Sequence, residues 1–149
     1  MEGVLSAYPY LIPALFLVFW FIVLAVIARV SGWSALAESY PAHENFDGPT
    51  RRFTSISLER VKGMPANYNG VVNVGADARG LHLRMLMFFR PYHPDLTFPW
   101  SEIAAAPRKF LLAEGVELSF ARTPGVRIRM PRQLAQWAAE NSAGGHSLG

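Results

Sequence analysis

The chain has 149 residues, 51% of them hydrophobic, and carries 14 Lys and Arg against 11 Asp and Glu, for a net charge of +3, with no cysteine. Lack of cysteine excludes disulfides, thiolate metal sites and thioether haem attachment, and it agrees with a reducing compartment. The mild cationic excess suits contact with anionic lipid or an acidic partner but lacks the dense basic clusters of nucleic-acid binding, so no nucleic-acid partner is expected.

Residues 1–30 are read as an N-terminal segment and one transmembrane helix. Leu11 to Val30, LIPALFLVFWFIVLAVIARV, hold one charge, Arg29, at the far end. Twenty helical residues cover about 30 Å, the hydrocarbon thickness of a bilayer. Ala35-Leu36-Ala37 before Glu38 resembles a signal-peptidase site, but the stretch before the run has no Lys or Arg and the run exceeds the length of a signal-peptide apolar region. Glu2 is the sole charge before the run, whereas Arg29, Arg51, Arg52, Arg60 and Lys62 follow it. The positive-inside rule then places the N-terminus outside and the rest in the cytoplasm, giving a single-pass protein of the bacterial inner membrane. Tyr8 and Tyr10 are expected at the outer interface, with Trp33 and Tyr40 at the inner one. Trp20, clustered with Phe16 and Phe19 in mid-span, faces lipid or a partner helix.

Residues 31–50 are read as an interfacial helix and linker: Trp33, Leu36, Ala37 and Tyr40 recur at helical spacing, Pro41 ends the helix, and a turn-rich stretch follows. From Arg51 the apolar period becomes two, which predicts an antiparallel sheet. The expected strands are Arg51 to Leu58, Val71 to Gly75, Leu81 to Phe89, Leu96 to Ile103, Lys109 to Ala113, Val116 to Arg122 and Val126 to Met130. Turns are expected at Asp77 to Gly80 and at Glu114-Gly115, with Pro99 at an edge or bulge. Pro131 then opens a helix with Leu134, Trp137 and Ala138 on one stripe. Residues 51–141 thus form one β domain, and 142–149 a flexible tail.

Seven strands followed by one helix, with GLHLRML (Gly80 to Leu86) and TFPWSEI (Thr97 to Ile103) as the sharpest segments, resembles bacterial pleckstrin-homology-like and GRAM-like domains. The resemblance implies a mainly β, partly open seven-stranded barrel with a C-terminal helix, here on a membrane anchor. Proteins with this fold bind lipids, peptides or other proteins. The first hairpin lacks the dense cations with which phosphoinositide-binding members act.

Chemistry-bearing residues do not converge. His43, His82, His93 and His146 are scattered without metal-ligand spacing, and Ser101 and Glu102, adjacent on a strand, point to opposite faces. Neither catalysis nor a cofactor is expected. Two surfaces are read instead as partner or lipid contacts. The first is apolar: Leu86 and Phe88, on the face opposite Leu81, Leu83, Met85 and Met87, continue into Arg90 and Tyr92. The second is basic: Arg127 and Arg129 project from the last strand, with Arg132 one turn on. Together with Trp20 and Trp33 they describe a non-catalytic membrane-anchored binding or scaffolding module that meets the bilayer and a protein partner or anionic lipid. Two other readings are a small accessory subunit of a large respiratory or photosynthetic membrane complex and a ligand-transforming barrel resting on Glu102 and His82.

Overall fold

The computed structural model describes residues 8–42, 46, 48–61, 64–110 and 113–142. Helix α1 (Leu11–Ser31) is the one helix among them long and apolar enough to cross a membrane, with a mean hydropathy of 2.9 over its best window. Pro13 falls in its first turn, where a missing N–H costs nothing. Gly32 ends α1 in the left-handed conformation at φ 99° and turns the chain directly into α2 (Trp33–Ser39). A Cβ on Gly32 would lie 2.6 Å from a Val126 methyl carbon, so both backbone and packing demand glycine there.

Seven strands follow: β1 (Thr50–Val61), β2 (Met64–Asp77), β3 (Gly80–Met85), β4 (Leu96–Phe98), β5 (Ile103–Phe110), β6 (Ala113–Phe120) and β7 (Arg127–Pro131). Single 3-10 turns at Met87–Phe89 and Trp100–Glu102 flank β4, and α3 (Arg132–Glu140) closes the described chain. The strands form one antiparallel sheet in the order β4-β3-β2-β1-β7-β6-β5, curled into a half-barrel. Curling is concentrated in β1, whose register against β2 shifts at three places. Bulging forces Phe53 to φ 56°, and its N–H is taken by the Asn73 side chain at 3.2 Å.

Alternation puts Val72, Val74, Leu81, Leu83, Met85, Val116, Leu118, Ile128 and Met130 inside the curl. Helix α2 fills its open side. Tyr40 packs on Phe98 of β4 at 5.0 Å and Phe120 of β6 at 5.9 Å, and those two rings stack at 4.3 Å. The chain after α2 covers the edge of β4: Thr97 N–H donates to the Tyr40 carbonyl and Ala42 N–H to that of Asp95. At another opening α3 inserts Leu134, Ala135 and Ala138 against β2, β6 and β7, while Trp137 is only partly buried.

Several expectations are corrected. The segment from Trp33 to Tyr40 is helical but belongs to the core: Trp33 and Leu36 are 0% exposed and Tyr40 2%. β3 stops at Met85, so Met87 is turned outward instead of filling the barrel. Leu96 to Ile103 is not one strand but β4, a 3-10 turn and the first residue of β5; Pro99 sits at that break, beside an edge strand. Glu114 and Gly115 lie within β6, paired with Lys109 and Arg108, and do not form the turn. The Asp77 to Gly80 turn forms as expected, with Asp77 and Gly80 paired across it. His43, His146 and the tail beyond Ser142 lie outside the described residues.

Candidate membrane interface

Helix α1 divides into two parts. From Ile12 to Phe19 every residue is exposed and apolar. From Trp20 onward one stripe, comprising Trp20, Val23, Leu24, Ile27, Ala28 and Ser31, turns toward the sheet, with Leu24, Ala28 and Ser31 buried. The opposite side of this lower half, Phe21, Ile22, Val26 and Val30, stays exposed and apolar.

Two sets of contacts hold the lower half. At its top the Trp20 indole donates to the Phe88 carbonyl at 2.9 Å, meets the Phe89 ring edge-on at 5.3 Å and stacks on Phe16 at 6.4 Å. At its base lies a buried polar chain. His93 Nδ1 faces the Pro91 carbonyl at 3.0 Å and therefore carries the proton, which leaves Nε2 to accept from the Tyr68 hydroxyl at 3.1 Å. Tyr68 in turn accepts from Ser31 Oγ at 2.9 Å, and Ser31 Oγ accepts from Trp33 N–H at 3.3 Å. Trp33 completes the cluster, its indole donating to the Pro94 carbonyl at 2.9 Å.

Burial pushes the Tyr68 hydroxyl up to about 12, with the Ser31 bond acting the other way. Burial likewise lowers His93 below its ordinary value, against the bond to Pro91, and so favours the neutral tautomer that this chain of bonds requires. Beside it Arg60 donates to the Arg29 carbonyl at 2.9 Å, a cation at the negative end of α1.

The apolar surface expected around the end of β3 is present in part. Phe88 is 74% exposed and Tyr92 57%, with Met87 at 70% beside them. Leu86 is half-buried, and Arg90 is exposed with its Nε donating to the Met85 carbonyl at 3.3 Å. Tyr92 sits at φ 62°, like Phe53 an exposed aromatic in left-handed backbone, a conformation that costs about 1–2 kcal/mol. Met87 is not expected at the surface because alternation alone assigns it no chain reversal, whereas Phe53 shares the outward face of Ser55 and carries no further signal in the sequence. Trp20 and Phe88 are brought together; Trp33 is buried beneath them and has no lipid-facing surface.

The basic row lies on a different face. Arg127 pairs with Glu117 of β6 at 3.0 Å and Arg129 with Glu59 of β1 at 2.9 Å, diagonal partners across β7. Both acids are nearly buried, so this patch is charge-balanced rather than cationic. Arg132 opens α3 and is exposed.

The two groups weighed for catalysis are committed elsewhere. Arg122 grips both Glu102 oxygens at 2.7 Å, and its bonds hold that carboxyl below the usual range despite the opposing effect of desolvation. His82 joins Thr97 at 3.0 Å and Asp77 at 2.9 Å. Burial acts to raise the Asp77 carboxyl, but bonds from His82 and Arg79 outweigh it and keep it low. A groove of about 440 Å³ runs past His82, Arg84, Asn73 and Phe53; in it Arg84 faces Asp95 at 3.5 Å and Phe46 stacks on His82 at 4.0 Å. Among the described residues, no group of three His, Asp or Glu could hold a metal.

No protein-family model, curated protein or solved structure matches this chain.

Proposed function

We propose that the chain is a single-pass protein of the bacterial inner membrane, N-terminus outside, whose cytoplasmic PH-like domain is a non-catalytic binding or scaffolding module. The observation that carries this reading is the docking of the lower half of α1 onto the sheet while the rest of the helix presents apolar side chains on all sides. An apolar helix built into a domain in this way acts as a rigid mount, holding the domain in one orientation at the membrane surface. Signal-peptide cleavage after Ala37 would strip Trp33 and Leu36, both fully buried, from the core. The strand order with a C-terminal helix supports the PH-like assignment, and the commitment of Glu102 and His82 to neighbouring side chains supports a binding role over catalysis.

Protease added to spheroplasts tests the topology. Survival of the domain from Arg51 onward is expected; its digestion from outside overturns the proposal. The accessory-subunit reading draws on the exposed Phe53, Phe88 and Tyr92. Size analysis after mild-detergent extraction separates the two, since an integral subunit migrates with a large complex and a free module does not.

A further inference from the structure

We infer that the turn Met87–Phe89 is a second membrane-inserted element: Met87 and Phe88 enter the acyl region of the leaflet beside α1, and one corner of the domain is immersed with them. The inference rests on the anchoring reading above and adds a depth to it. Trp20 lies eleven residues before the last residue of α1, so its Cα is about 16 Å up the helix axis from that end, roughly half the hydrocarbon thickness. Helical side chains lean toward the N-terminus, which carries the indole no lower. The 2.9 Å bond from that indole to the Phe88 carbonyl fixes the turn at the same height. A domain hanging below a spanning α1 could not reach this point, so the turn enters the leaflet with the helix.

Its chemistry suits hydrocarbon. Met87 and Phe88 are exposed and apolar, and Trp20 joins their turn to the exposed Phe16 of α1, stacking on that ring while it bonds the Phe88 carbonyl. The carbonyls of Leu86, Met87 and Phe88 accept from Phe89 N–H, Arg90 N–H and the Trp20 indole, so these three acceptors are satisfied within the protein, as a bilayer demands of them. Arg90 and Tyr92 follow at once, a cation able to snorkel and an exposed aromatic, residue types that mark the headgroup level. Phospholipid is the occupant because the patch is continuous with the exposed face of α1; a protein partner is the competing outcome.

The absence of cysteine allows single nitroxide labels on the full-length chain at Met87→Cys, Phe88→Cys, Val18→Cys and Ser101→Cys, reconstituted in phosphatidylcholine and phosphatidylglycerol vesicles without any other protein. All four side chains are exposed, so labelling displaces no packing. The ratio of collisions with oxygen to collisions with a polar nickel chelate is expected to be about tenfold or more higher at 87 and 88 than at 101, because hydrocarbon excludes the chelate. It is expected to match that at 18. Labels at 87 and 88 that resemble 101 while 18 lies in lipid overturn the insertion, favour a protein-facing patch and leave the anchor standing. A water-exposed label at 18 overturns the anchor itself.

Discussion

The two halves of α1 have nearly the same apolar composition and opposite surroundings. Ile12 to Phe19 touch little of the protein, whereas Trp20 to Ser31 are packed along one stripe against the sheet. Hydrophobicity does not separate them; side-chain size and chemistry do. Ala28, Ser31 and Gly32 allow close approach at the base, Ser31 supplies a hydroxyl that Tyr68 can use, and Trp20 supplies the N–H that Phe88 accepts. An apolar helix such as α1 becomes part of a domain where its apolar run is interrupted at the right phase by small and hydrogen-bonding residues.

The comparison breaks most severely at Gly32. Gly32→Ala forces a side chain into left-handed backbone, about 1–2 kcal/mol, and against Val126, with overpacking of similar size. Thermal unfolding in detergent is expected to show the two together, about 2–4 kcal/mol, while Ile22→Ala, on the exposed side of α1, leaves the transition in place. Next comes Tyr68→Phe, which removes the donor to His93 and the acceptor for Ser31; stranding buried polar groups there is expected to cost about 1–3 kcal/mol. The smallest effect is that of pH. His93 is held below its ordinary value of 6.5, so the unfolded chain takes up a proton before the folded one does. Stability from this site is complete above about pH 6.5 and falls as pH drops toward the folded-state value, with no further loss below it. A titration of the thermal midpoint should show that decline, and His93→Gln should abolish it.

Much of the sheet was legible because period-two alternation survives in β2, β3, β6 and β7, and because the Asp77 to Gly80 turn carries its own signal. The role of α2 was not. Trp33, Leu36 and Tyr40 at helical spacing describe one apolar stripe whether it lies on a bilayer or in a core, and only the open side of the curled sheet decides. The outward turn at Met87 has no Gly or Pro to announce it, so alternation extended β3 too far. Arg127 and Arg129 looked like a cationic surface because their acids come from Glu59 and Glu117 on neighbouring strands, a pairing that local sequence does not encode. Trp20 was conspicuous as a mid-span indole, yet its partner, the Phe88 carbonyl, lies 68 residues away.

The central claim is that α1 and the β domain fold as one body, and removal of the helix tests it most directly. A chain that begins at Trp33 lacks Leu24, Ala28 and Ser31, uncovers Trp33 and leaves Tyr68 without its hydroxyl partner. Compared with the full chain in the same detergent, it is expected to unfold at a clearly lower temperature or to lose the cooperative transition. An unchanged midpoint would contradict the claim and reduce α1 to a tether.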